Sequence, residues 1–149
     1  SIQDQYDYII MDSPPTENLV VINAMAASRE LLIPCNVEQD SYDGVLRVMK
    51  ALSAVRMYNP ALDIRGVLLT QIQNNGTDKQ AVALGVADLP RFKTYIRHSV
   101  QVKNSNFNRV ALLDQAQDSN PAKDYENFVA EYLGVALPYP NEPYVKQHN

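Results

Sequence analysis

Apolar positions along the chain follow two rhythms that alternate with one another. Four short runs read as strands: residues 6–12, 31–37, 64–72 and, more weakly, 92–96. Tyr8-Ile9-Ile10-Met11 and Val67-Leu68-Leu69 are apolar at consecutive positions, the pattern of a strand in a parallel sheet covered on both faces. Between these runs the apolar spacing becomes helical. Residues 17–28 carry Leu19, Val20, Ile22 and Met25, and residues 41–58 place Val45, Met49, Leu52 and Val55 on one stripe. A shorter helix is predicted over 77–88, where Thr77 and Gln80 have capping-box spacing. The last helix carries Tyr125, Phe128, Val129, Tyr132 and Leu133. Its ends are marked by Asn120 as cap, Pro121 at the first helical position and Gly134 as stop. Ser41 and Asn59-Pro60 bound the second helix in the same way. Strands alternating with helices imply βαβ units. The expected fold is α/β, with a three-layer, mostly parallel sheet flanked by helices over residues 1–135, followed by an extended tail over 136–149.

Composition narrows this picture. The chain has 149 residues, 46% of them hydrophobic and 20% charged, which suits one globular domain. No apolar run approaches the roughly 20 residues of a membrane helix, and no basic start leads into a secretory signal, so a cytoplasmic location is expected. The chain opens almost directly into a strand-like run, so its natural N-terminus is expected to lie elsewhere. A single cysteine, Cys35, can neither close an internal disulfide nor build a metal site alone. His98 and His148 likewise suggest no metal site. The net charge of −4 argues against a uniformly DNA-coated surface. Its distribution is uneven, however: residues 91–109 hold Arg91, Lys93, Arg97, Lys103 and Arg109 and no acid. That segment is either a phosphate-attracting field or a solvated stretch whose charges pair with acids elsewhere.

Candidate chemistry gathers at strand ends. Asp12 closes an apolar run where a carboxylate is costly to hide, and ligands of open α/β sheets sit beyond the carboxyl ends of the strands. The other reading of Asp12 is a cap for the following turn, with Ser13 assisting. Thr70, Gln71 and Ile72 end the third run on the same expected rim and could line a base pocket. Asp40 and Asp43 are read as helix-end electrostatics. No G-x-x-x-x-G-K-[S/T] occurs anywhere in the chain.

Taken in order, these runs resemble the ParA/MinD group of deviant Walker-A ATPases, and within it the ParA/Soj partition proteins. The resemblance rests on Tyr6 to Pro15 with Leu19 and Asn23-Ala24, on Leu32-Ile33-Pro34 through Glu38, Gly44 and Asn59-Pro60, on Ile64 to Thr70, and on Thr94 to Val100. It covers roughly residues 5–135, the C-terminal half of a typical member, and implies a partial P-loop NTPase fold. It also implies that Asp12 is the Walker-B acid acting on Mg²⁺ through water, and that Pro14 and Pro15 belong to a switch sensing the γ-phosphate. Thr70 and Gln71 would lie near adenine, as would the segment of Ile96 and Arg97. Arg97, standing where the family often has proline, would join Lys103 and Arg109 as DNA-phosphate contacts.

ATP and Mg²⁺ are the family's cofactors, non-specific DNA and a ParB-like centromere-binding protein its partners, and a nucleotide-switched dimer its active form, associated with the nucleoid. Without the phosphate loop, no cofactor binding and no ATP hydrolysis are expected from this chain alone. The alternatives are a non-enzymatic binding domain, a MinD-like positioner or a tyrosine-kinase-like fragment. The proline-bearing tail cannot form the amphipathic membrane helix of the MinD type, and Tyr139 and Tyr144 are too few for a kinase tail. A half domain would also expose sheet edges and apolar helix faces, so self-association by edge pairing or exchange of elements is expected.

Overall fold

The computed structural model describes residues 2–14, 18–36, 39–73 and 89–140. After a short 3₁₀ turn at Ile2–Asp4, the described elements are α1 (Leu19–Ala27), β1 (Glu30–Asn36), α2 (Gln39–Val55), β2 (Asp63–Ile72) and β3 (Arg91–Arg97). Three helices follow: α3 (Val100–Asn108), α4 (Leu112–Gln115) and α5 (Asn120–Leu133). The strands form one sheet in the order β1-β2-β3, with both pairs parallel.

The central position of β2 explains its sequence. Its neighbours take both edges and helices take both faces, so Val67, Leu68 and Leu69 are all buried in succession. On one face Ile33 and Cys35 of β1 and Val67, Leu69 and Ile72 of β2 pack with Met25 of α1 and with Val45, Leu52 and Val55 of α2. On the other, Leu68, Phe92 and Ile96 meet Phe128 and Tyr132 of α5. The Phe92 and Phe128 rings pack edge to face, with centroids 4.9 Å apart. The result is the three-layer α/β arrangement.

Gly66 is required by this packing. A Cβ built there would lie 2.8 Å from Phe92 Cε2, closer than carbon atoms tolerate. Gly66→Ala is expected to lower stability by about 1–3 kcal/mol, the usual range for overfilling a packed site. Denaturant unfolding checks the value, and Phe92→Leu in the same chain should recover part of the loss.

Helix ends follow capping chemistry. Asn18 Oδ1 accepts the Val21 N–H at the start of α1. Asn59 Nδ2 donates to the carbonyls of Ala26 (3.1 Å) and Ser28 (2.7 Å) just beyond α2, tying the end of α1 to the α2–β2 connection. Ser119, not Asn120, caps α5, because Ser119 is the extended residue whose hydroxyl accepts the Ala122 N–H. Gly134 ends α5 in the left-handed conformation at φ 71°, and the Val135 N–H closes on the Ala130 carbonyl. Residues 135–140 then turn back along α5, where the Tyr139 N–H donates to Asn127 Oδ1 at 3.0 Å.

The strand expected over residues 6–12 is not formed. Residues 8–14 are irregular and residues 4–14 exposed, with Ile10 at 91% exposure. A strand needs a neighbour to ladder with, and among the described residues β1 pairs only with β2. High β-propensity and an apolar run do not supply that neighbour. The helix expected over 77–88 lies outside the described residues. Helices α3 and α4 were not anticipated, since Gln101, Asn104, Asn106 and Asn108 break up any apolar stripe in α3.

The two outer edges of the sheet are treated differently. Along β3, Glu131 of α5 accepts the backbone N–H groups of Lys93 (2.7 Å) and Thr94 (2.8 Å), and Asp124 accepts that of Arg97 (3.0 Å). An edge strand thus ends on side-chain carboxylates. On the far side of β1, no described strand pairs.

Candidate functional site

Parallel pairing brings the carboxyl ends of all three strands to one rim. Asn36 at the end of β1 is in register with Thr70 of β2, and Ile72 with Arg97 of β3. The His98 N–H donates to the Ile72 carbonyl at 2.9 Å, extending the rim past β3. Ser99 then caps α3 through the Gln101 N–H. The end of the central strand therefore stands between two others, where ligands of open α/β sheets bind.

Gln71 gives this rim its distinctive feature. It sits in the left-handed region at φ 58°, and the pairing of β2 with β3 is irregular between Leu69 and Ile72. A non-glycine residue held there costs on the order of 1–2 kcal/mol. Strain of this kind persists where the surroundings over-determine it, often at binding sites. Thr70 beside it is half-buried, and the Gln71 side chain is exposed. Nothing in the sequence around Gln71 signals this conformation.

The other expected site residues are distributed less compactly. Asp12 and Pro14 lie on the exposed irregular segment rather than at a strand end, and Pro15 lies outside the described residues. The Ile96 side chain is buried with Leu68 and Phe92 on the α5 face, where it serves the core. Arg97 is held by Asp124: Nη2 donates to Oδ1 at 2.6 Å and Nε to Oδ2 at 2.9 Å. The Asp124 side chain is 9% exposed and that of Arg97 39%, so the pair is set partly into the protein. Lys103 is exposed on α3, and Arg109 is exposed at the end of that helix, in the left-handed conformation at φ 56°. The basic segment is thus of both kinds at once, with Arg97 paired to an acid and Arg91, Lys93, Lys103 and Arg109 exposed.

Asp124 and Glu131 were missed by sequence reading. The available signal was their spacing of seven residues on α5, which puts both on one face of the helix. Tyr132 on that helix donates its phenol to Glu30 Oε2 at 2.6 Å, and this hydrogen bond raises the phenol above its ordinary range. Arg65 lies over the same ring at 5.4 Å and donates to the Tyr132 carbonyl. Cys35 is buried, and burial pushes its thiol up, which keeps it protonated and unreactive. Among the described residues, no group of three or more His, Cys, Asp or Glu side chains is placed to hold a metal ion. None of the described helices is long and apolar enough to cross a membrane.

A family model described as an AAA domain matches residues 1–64. The sporulation initiation inhibitor protein Soj of Bacillus subtilis is 33% identical over 101 residues, covering 67% of this chain and 38% of Soj. The chromosome partitioning protein ParA of Caulobacter vibrioides is 33% identical over 82 residues, 54% of this chain and 31% of ParA. The chromosome-partitioning ATPase Soj of Treponema pallidum is 25% identical over 136 residues, 89% of this chain and 54% of that protein. The parallel sheet between helix layers is a partial P-loop NTPase fold of the α/β class. Within that class, the chain belongs to the ParA/Soj-type family of partition ATPases. It spans from about a third to about half the length of these relatives.

The cofactor of such a family, Mg-ATP, is matched here only in part. Thr70 and the left-handed Gln71 stand at the end of the central strand, and Asp12 is an exposed carboxylate on an irregular segment. The 149 residues contain no phosphate-loop motif, so the triphosphate end has no cradle among them.

Proposed function

We propose that these residues form the base-facing and partner-facing part of a ParA-type partition ATPase, whose phosphate loop is not within this sequence. In that reading residues 1–135 belong to the ATPase domain and residues 136–149 to a tail. Asp12 acts on Mg²⁺ through water, and Pro14 and Pro15 belong to the γ-phosphate switch. Thr70 and Gln71 contact the base, with Ile96 and Arg97 in the adjoining segment. The complete assembly is a nucleotide-switched dimer in the cytoplasm. It holds non-specific DNA through Lys103 and Arg109, while Arg97, expected to join them, is engaged by Asp124, and it answers to a ParB-like partner. The observation that carries this reading is the left-handed Gln71 at the end of the central parallel strand, in a chain of this family.

Two measurements test the proposal. Binding of random-sequence duplex DNA should weaken steeply with salt. Lys103→Ala and Arg109→Ala should each weaken it uniformly across sequences and lower the log–log salt slope by about 1. Binding that ignores salt, or survives both substitutions unchanged, would sink the DNA contacts. Mg²⁺-dependent ATP turnover should not exceed that of Asp12→Ala, and turnover well above that control would overturn the assignment of hydrolysis to a longer assembly.

A further inference from the structure

Helix α3 displays chemistry that the core does not use. Of Val100–Asn108 only Ser105 is buried and Val102 half-buried, and the Ser105 hydroxyl donates back to the Val102 carbonyl of the same helix. Every other residue of the helix is exposed. Both ends are nevertheless well defined. Ser99 Oγ accepts the Gln101 N–H, and beyond Asn108 the left-handed Arg109 lets the Val110 N–H return to the Ser105 carbonyl at 3.1 Å. Asn108 Nδ2 donates to Gln115 Oε1 at 3.0 Å, which ties that end to α4.

The surface so held is rich in donors and contains no acid. Gln101, Lys103, Asn104 and Asn106 are exposed on it, with Arg109 at its end, and no Asp or Glu occurs from Leu89 to Leu113. Among the described residues neither Lys103 nor Arg109 takes part in an ion pair. Cations and carboxamides without acids suit phosphates and base edges. Phe107 stands within this surface at 89% exposure, one helical turn from Lys103 on the same face and two residues before Arg109. A lone exposed apolar side chain is ordinary. An aromatic ring on a capped helix, set between two cations, has the arrangement of a stacking platform beside phosphate contacts.

We propose that α3 binds a single-stranded polynucleotide, with Phe107 stacked on a base and Lys103 and Arg109 on the neighbouring phosphates. This rests on the reading of those two cations as phosphate contacts, and it narrows their ligand from any polyanion to one with open base faces. In a duplex the bases cover one another, so only the cations find partners there. In a single strand each base offers a π-face, and stacking on the ring needs no particular sequence. The carboxamides of Gln101, Asn104 and Asn106 add donors along the same surface.

Binding of the full chain to a mixed-sequence oligonucleotide, single-stranded and as its duplex, tests this by fluorescence anisotropy. Phe107→Ala should weaken single-strand binding roughly 5-fold to 100-fold. It should leave duplex affinity and the salt slope unchanged, whereas Lys103→Ala lowers both. Because Phe107 is 89% exposed, its replacement removes little packing, and circular dichroism of the variant should match the parent. The chain has no tryptophan, so Phe107→Trp introduces a lone indole at the site. Single strands should quench its emission, and inorganic polyphosphate at equal charge should not. Parallel titrations with DNA and RNA of one sequence distinguish the two sources of such a strand, and quenching by neither overturns the proposal. A blue shift on anionic phosphatidylglycerol vesicles, without quenching by single strands, overturns it in favour of a lipid surface. Salt-dependent duplex binding with single-strand affinity indifferent to Phe107→Ala also overturns it, and leaves Lys103 and Arg109 as phosphate contacts. Absence of binding to either form removes those contacts and the stacking together.

Discussion

Replacing Asp124 with alanine is expected to lower folding stability by about 3 kcal/mol, measured by denaturant unfolding. The carboxylate is nearly buried and accepts from the Arg97 backbone N–H, Nε and Nη2. Its loss leaves a half-exposed guanidinium and a strand N–H without their acceptor, which costs more than the pair contributes net. Asp124→Asn should cost less, since the amide oxygen can still accept from the backbone. A double-mutant cycle with Arg97→Met separates the side-chain pair from the backbone bond: the coupling energy belongs to the ion pair, and the remainder to the strand edge. Adding Glu131→Ala removes the acceptor for Lys93 and Thr94 as well. The double variant should aggregate on partial unfolding, because β3 then presents open N–H groups.

Leu52→Ala is expected to cost a similar amount, about 2–5 kcal/mol, for a different reason. Leu52 is 1% exposed on α2, in the cluster formed with β1 and β2. Truncation removes apolar burial and leaves a cavity between a helix and a sheet that cannot easily collapse together. Leu46 is on the same helix but half exposed, and Leu46→Ala should change stability by about 0.5 kcal/mol or less. If both substitutions proved equally mild, α2 would not be packed on the sheet as described.

These two expectations differ in how far the sequence announces them. Leu52 is legible because Val45, Met49, Leu52 and Val55 recur at helical spacing, and a stripe of that kind has to face a core. Asp124 is not, since an acid on a helix whose other positions are mixed reads as solvent-facing until a strand is known to lie beside it. Gly134 and Pro121 were legible as helix punctuation because their backbone preferences act within a few residues. Ser119 displaced Asn120 as the cap, a shift of one residue between side chains of nearly equal capping strength. The candidate site was legible only as a place. Thr70 and Gln71 were expected at a strand end and are there, but the left-handed backbone of Gln71 lies where the pairing of β2 with β3 is irregular, a feature of two strands far apart in the chain.

Residues 6–12 mark the boundary most clearly. Their apolar run states that the segment needs burial, and the structure leaves it exposed, because burial as a strand depends on a neighbour that no local pattern can supply. Arg97 is a second case: charge counting puts it in a basic field, while Asp124, 27 residues later, takes its guanidinium.

Local information in the chain determined that this protein is α/β: the both-sided apolar run of β2, the stripe of α2 and the caps of α5 are properties of neighbouring residues. Only the tertiary structure decided which edge is closed, which cation is paired and which apolar segment stays uncovered. Those outcomes are contacts between residues far apart in the chain, and their energies exist only once the segments have met.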